Sequence, residues 1–218
     1  MEFDFVKWIG HASFMLESKD GIVYVDPFKL SGNFAAADIV FITHSHFDHL
    51  STADIDKIAG KKTIVVAPSE SRQKLPNYNV FAVEPGKEYE VNGIKFSTVP
   101  AYNIKKERLG YHPRANNWVG YIIGIGGKRI YHAGDTDFVE EMKSIDCDLA
   151  LLPIGGTYTM DIDEAIEASK GIKARFFAPM HYKALLGADA SKKAEERFSA
   201  SIDNSLIFRE VQDPSYSF

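Results

Sequence analysis

Short apolar runs bounded by glycine, proline and polar clusters dominate this chain. Runs of that length, rich in β-branched and aromatic residues, read as strands. Ile39-Val40-Phe41-Ile42 and Leu149-Ala150-Leu151-Leu152 are continuous and read as buried on both faces. Ser18-Lys19-Asp20-Gly21 and Gly126-Gly127 interrupt β-rich runs and predict hairpins. Helical spacing appears in three places. Ser51-Thr52-Ala53-Asp54 offers a capping start ahead of Ile55 and Ile58. Residues 161–170 set Ile162, Ala165, Ile166 and Ala168 on one side, with Gly171 as the expected stop. Residues 191–200 carry Lys192, Lys193, Glu195, Glu196 and Arg197 and predict a surface helix. Strands at 63–67 and 175–178 follow the first two helices. Sheets with helices outside them form an α+β layering.

The pattern also repeats. The two tryptophans stand in Lys7-Trp8-Ile9-Gly10 and Asn117-Trp118-Val119-Gly120, an offset of 110. Asp38-Ile39-Val40-Phe41-Ile42 and Asp148-Leu149-Ala150-Leu151-Leu152 share that offset, and Ala67-Pro68 returns as Ala178-Pro179. The expectation is one domain, 1–218, built from two similar halves at about 1–100 and 118–218. A solenoid has much shorter periods. Each half is read as a tryptophan-led strand, a turn, a strand ending near an aspartate (Asp26 or Asp135), a buried strand, a helix and a strand.

Composition narrows the partners. The net charge of −5 argues against a nucleic-acid backbone as the main partner. The single cysteine, Cys147, forms no internal disulfide and reads as a small buried residue rather than a nucleophile. No basic stretch leads into an apolar segment, and no run approaches the ~18 residues of a membrane helix. The expected location is cytoplasmic.

The histidines are unevenly placed. Three of the seven fall in Thr43-His44-Ser45-His46-Phe47-Asp48-His49-Leu50. On an extended segment His44 and His46 point the same way. The cluster follows a strand and precedes a helix, a usual position for an α/β site. Imidazole and carboxylate suit zinc, iron, manganese or nickel. Four donors this close cannot all serve one tetrahedral ion. His44 and His46 can converge on one point while Asp48 and His49 turn toward a second, so the spacing implies two adjacent metals that need ligands from elsewhere.

The stretches WIGHASFMLES, VDPF, THSHFDHLS, YHAGDTD, PIGGTYTMD and APMHY resemble the metallo-β-lactamase superfamily over nearly the whole chain. Within it, the chain looks most like ascorbate-6-phosphate lactonases and the phospholipase D acting on N-acyl phosphatidylethanolamine. The resemblance implies a four-layer αββα sandwich. It implies Asp135 as a bridge between two metals, His181 as a ligand of the second, and Asp26 as a support for the histidine loop. It places His11 near the cleft, in contact with substrate or supporting the ligands. A divalent metal follows, zinc first, with one or two ions per chain. The pattern is broken at one point. Relatives carry a further histidine where this chain has Asn103, in Val99-Pro100-Ala101-Tyr102-Asn103. That leaves the first metal with His44, His46 and Asp135, and three outcomes open: a water in the gap, a substitute ligand, or a single metal. His112 is the candidate substitute; otherwise it touches substrate or lies on the surface. His132 is expected to be buried and hydrogen-bonded rather than a ligand.

The resulting expectation is a metal-dependent hydrolase. A metal-activated hydroxide, oriented by Asp48, would attack a small ester, lactone or phosphodiester. The alternative is a non-hydrolytic metal-binding or redox protein with a partly lost first site. Lys105, Lys106, Arg108 and Arg114 in the 102–117 loop suggest attraction of an anionic small molecule. The hydroxyls of residues 155–160 are expected either to hold substrate or to cap the helix that follows.

Overall fold

In a computed structural model the described residues are 2–211. Met1 and residues 212–218, which the single-domain reading includes, lie outside them. Twelve strands form two six-stranded sheets. The first contains β1 (Val6–Gly10), β2 (Ser13–Ser18), β3 (Gly21–Val25), β4 (Ala37–Phe41), β5 (Ala59–Pro68) and β6 (Asn79–Val83), in that order. The second contains β7 (Glu88–Val91), β8 (Ile94–Pro100), β9 (Val119–Ile125), β10 (Lys128–His132), β11 (Asp146–Pro153) and β12 (Lys173–Met180). In each sheet antiparallel hairpins give way to parallel strands, β3–β4–β5–β6 in one and β10–β11–β12 in the other.

The strand alternation explains the layers. Val23, Val25, Ile39, Phe41 and Val66 share one core with residues of the second sheet. Tyr24, Val40, Ile42, Val65 and Ala67 point to the other face, where Ile55 and Ile58 of α1 (Thr52–Ile58) cover them. Successive strand residues face opposite ways, so a sheet covered on both sides produces the continuous apolar runs seen in the sequence. Ser51 caps α1 as expected. On the second half α2 (Ile162–Gly171) packs against β12 and against α4 (Ala188–Ser201), with the short α3 (Lys183–Leu186) between β12 and α4. The expected α+β sandwich of two sheets with helices outside them is thus realised.

Two local expectations need correction. The tryptophan-led first strand is two strands, β1 and β2, broken at His11-Ala12. Gly10 and His11 both have positive φ there, 138° and 53°. Trp8 lies inside β1, whereas Trp118 precedes β9, whose hairpin partner β10 corresponds to β3. The tryptophans are therefore not equivalent positions of the two halves, although β4–α1–β5 and β11–α2–β12 do keep the offset. Gly171 does not stop α2 but is its last residue, with Ile172 as the cap. A side chain at 171 would meet the Phe138 ring at 2.6 Å, so close packing is what glycine permits there.

The chain leaves β3, β4, β10, β11 and β12 at their C-terminal ends on one edge of the sandwich. The halves are tied there by Val119 N–H to the Thr43 carbonyl (3.2 Å), the Tyr121 hydroxyl to the Ile42 carbonyl (2.8 Å) and His181 N–H to the His11 carbonyl (2.9 Å).

Candidate metal centre

Six loops meet at that edge. The loop after β1 supplies His11; after β3, Asp26; after β4, residues 43–50; between β8 and β9, residues 101–118; after β10, Asp135; and after β12, His181. Gly134 lets Asp135 approach. Its φ is 65°, and a Cβ would sit 3.1 Å from both Thr43 Cβ and the Val119 carbonyl oxygen.

The histidines are held by a recurring device. Asp26 is fully buried and accepts from Thr43 N–H (2.8 Å) and the Thr43 hydroxyl (2.6 Å). Its Oδ2 also accepts from His49 Nδ1 at 2.7 Å. Thr43 Oγ1, having donated its proton, accepts from His44 Nδ1 at 3.0 Å. Asn103 does the same for His112. Its amide nitrogen donates to Asp137 and to the Tyr158 carbonyl, both at 3.0 Å, which fixes the amide's orientation. Its Oδ1 then accepts from His112 N–H (3.1 Å) and His112 Nδ1 (2.8 Å). Three imidazoles thus give their Nδ1 protons to oxygens, which turns Nε2 toward the cluster, the usual preparation of a metal-binding histidine. With both lone pairs of its oxygen engaged, Asn103 has nothing to offer a cation.

The free atoms converge. Asp135 Oδ1 lies 3.4 Å from His49 Nε2. Its Oδ2 lies 3.4 Å from His112 Nε2 and 3.2 Å from His181 Nε2. His44 Nε2 faces His46 Nδ1 at 3.0 Å, and His11 Nε2 faces Asp48 Oδ2 at 3.0 Å. Donor atoms fall within 4.8 Å of one another in three overlapping groups: His44, His46 and His112; His11, Asp48, His49 and His181; and His44, His49 and Asp135. Every site histidine and aspartate singled out in the sequence lies in or against these groups. His132 stays apart, as expected, donating to the Ala12 carbonyl at 2.8 Å.

The residues fit a cation. His49 Nε2, His112 Nε2, His181 Nε2 and Asp135 Oδ1 are buried without a hydrogen-bond partner. Buried polar atoms are rarely left so, and each of these is of a type that coordinates metals. Burial, aided by the nearby histidines, holds His44 well below the ordinary histidine range, and burial also lowers His46 and His11. Burial opposes ionisation of Asp48, but the His11 hydrogen bond and His49 outweigh it and bring the carboxyl to about 2. Burial likewise disfavours charge on His49, yet Asp135 and Asp26 raise it well above the ordinary value. A cation would take over the role of that proton.

Other contributors take roles that the sequence did not signal. Trp118 lies with its ring 4.8 Å from those of both His44 and His46, and its indole N–H donates to Glu70. Arg108, 3% exposed, donates to both carboxylate oxygens of Glu164 at 2.6 and 2.8 Å and lies 3.0 Å from Asp137. Asp137 also accepts from the N–H groups of Ile104 and Lys105. This buried ion cluster ties the His112 loop to α2, where Glu164 completes a capping box with Asp161. Asp161, not the preceding threonines, caps α2. The expected positive patch is largely spent: Arg108 is buried in that cluster, Lys105 pairs with Glu164 (2.8 Å) and Arg114 with Glu141 (2.9 Å). Cys147 is buried, its thiol pushed up to about 12 by burial, and it lies in β11 away from the cluster.

Comparison with known proteins finds relatives over nearly the whole chain. The family described as a β-lactamase superfamily domain matches residues 5–181. A UPF0173 metal-dependent hydrolase from Thermoplasma volcanium is 34% identical, covering 95% of this chain and 96% of its own. The crystal structure of a proposed metal-dependent hydrolase from Parabacteroides distasonis superposes with a TM-score of 0.82 at 32% identity, over 94% of this chain and 92% of that one. Igni18, a metallo hydrolase from Ignicoccus hospitalis, gives 0.75 at 26% identity over 94% of each.

Proposed function

The chain belongs to the β-lactamase superfamily and has its metallo-β-lactamase fold, and from that premise we propose that it is a metal-dependent hydrolase of a small ester, lactone or phosphodiester. The observation that carries the reading is the convergence of unpartnered, buried imidazole and carboxylate atoms around Asp135. His44, His46 and His112 would hold one cation, and Asp48, His49 and His181 a second, with Asp135 between them. His112 would take the place of the histidine that relatives carry where this chain has Asn103, and Asn103 holds His112. Zinc suits this donor set, and manganese, iron and nickel share it.

Divalent ions there would lower the pKa of a water toward neutrality and polarise the substrate's reacting oxygen. The protein's own residues do the rest. Asp26, Thr43 and Asn103 keep the imidazoles in one tautomer. His11 fixes Asp48, which stays ionised and can orient the attacking water or accept its proton. Trp118 closes the side of the His44–His46 pair. Among the described residues no helix is long and apolar enough to cross a membrane, and a cytoplasmic setting suits the single buried thiol.

The test is hydrolysis of generic esters and bis(p-nitrophenyl) phosphate by chain loaded with zinc or manganese. Turnover should require metal and disappear in Asp48→Ala. Turnover that persists in Asp48→Ala, or dioxygen-consuming redox chemistry from an iron-loaded chain in place of hydrolysis, would contradict the reading.

A further inference from the structure

A cavity of about 620 Å³ opens directly onto His46, Asp48, His112, Asp135 and His181. That size suits a small molecule rather than a macromolecule. Its walls away from the cluster are mainly aromatic and aliphatic, with Lys29, Ser31 and Glu210 as the polar members, and both halves contribute. Phe28 and Phe47, from the loops after β3 and β4, meet at 6.0 Å in an edge-on pair. Tyr111 and Tyr158, from the 101–118 loop and the loop after β11, meet at 4.7 Å in another. Leu185 of α3 adds an aliphatic face.

These side chains are unusually open for their type. Among the described residues seven large hydrophobics are exposed, and four of them, Phe47 (77%), Tyr111, Tyr158 and Leu185, line this one cavity. Exposed apolar side chains gathered around a reactive centre mark a surface that is covered when ligand is present. Charge argues the same way. Histidines aside, Lys29 is the one cation lining the cavity among the described residues, and its ammonium lies 5.2 Å from the Phe28 ring centre. Lys105, Arg108 and Arg114 are already neutralised by carboxylates of the protein. Phosphate recognition normally uses unpaired Arg or Lys donors aimed at the oxygens.

We propose that this cavity binds the uncharged acyl or aryl portion of an ester or lactone, so that the preferred substrates are neutral and apolar rather than phosphorylated. The inference deepens the hydrolytic reading and rests on it for the reacting bond. The apolar group lies against the two aromatic pairs and Leu185, and the scissile carbonyl faces the Asp135 cluster.

Metal-loaded protein is assayed on p-nitrophenyl acetate, butyrate and hexanoate, on the p-nitrophenyl hemisuccinate, and on bis(p-nitrophenyl) phosphate. Each buried methylene should raise kcat/KM about two- to fourfold, which over the four methylenes from acetate to hexanoate is about 16- to 250-fold. Hemisuccinate and the phosphodiester should fall below butyrate. Phe47→Ala and Leu185→Ala should each cut the hexanoate-to-acetate ratio at least about fivefold. A neutral fluorophore, N-phenyl-1-naphthylamine, reports binding without turnover. It should bind saturably, be displaced by methyl hexanoate, and bind more weakly to both variants. Turnover with no chain-length dependence, or with the phosphodiester or hemisuccinate preferred, would overturn the inference while leaving hydrolysis standing. Fluorophore binding that both variants weaken, without any ester turnover, would support the apolar subsite and count against the hydrolytic reading. Neither binding nor turnover would sink both.

Discussion

The loop of residues 43–50 leaves β4 and turns into α1 within a few residues, whereas the loop of residues 101–118 makes a long excursion from β8 to β9. Both deliver imidazoles whose Nδ1 is anchored on an oxygen and whose Nε2 is turned toward the same cluster, His44 and His49 from one and His112 from the other. The short loop is anchored by one buried carboxylate, Asp26, that grips its backbone and its first hydroxyl. The long loop is anchored by Asn103 and by the Arg108–Asp137–Glu164 cluster, which supply the rigidity its length would otherwise deny. A compact motif can place ligands by local geometry; a long loop needs a buried polar network, and every member of such a network must be satisfied.

The comparison breaks most severely at the residue both loops share. Asp135→Ala should release metal from both sides, dropping the content measured by mass spectrometry below one per chain and ester turnover roughly 10³-fold. The next effect separates the loops. Arg108→Ala leaves buried Asp137 without its cation and Glu164 with Lys105 alone, and should cost about 3–5 kcal/mol in denaturant unfolding, while changes on the short loop such as His46→Ala cost metal but little stability. An Arg108→Ala protein as stable as the parent would remove the network from the account.

The anchors come next. Asn103→Ala frees His112 Nδ1 and should weaken binding of one ion about 10–100-fold while the other is retained. Asn103→His should not raise metal content, because the position faces His112 and Asp137 rather than the cluster; a gain to a third ion or a tighter second one would contradict this. The smallest effect is protonic. In the metal-free chain His49 carries a proton that Asp135 and Asp26 favour, and a cation must displace it. Metal binding should therefore release about one proton in calorimetry across buffers of different ionisation enthalpy, and affinity should fall as pH is lowered.

The same two loops show how much could be read in advance. Thr43 to Leu50 announced its own chemistry, because alternate residues on an extended segment share a face and the flanking strand and helix were plain. The paired β–α–β units and the Ser51 cap were legible for the same local reason. Asp135 and His181 were reachable through resemblance, since an aspartate after glycine or a single histidine carries no pattern of its own. His112 could be named as a substitute but not chosen, because its place depends on an amide nine residues earlier and on a hydrogen bond from that amide to Asp137, across more than thirty positions. The break at His11 was hidden by an apolar run that reads through it; Gly10 before a histidine, a residue that tolerates positive φ better than most, was the faint signal. Lys105, Arg108 and Arg114 of the long loop looked free because their carboxylate partners come from α2 and the β10–β11 connection.

Crystals grown with zinc or manganese and measured at that metal's absorption edge test the central claim most directly. The account predicts two anomalous peaks about 3.5–4 Å apart, one among His44, His46 and His112, the other among Asp48, His49 and His181, with Asp135 reaching both. A single peak with His112 turned away and still bonded only to Asn103, or density outside the cluster altogether, would contradict it.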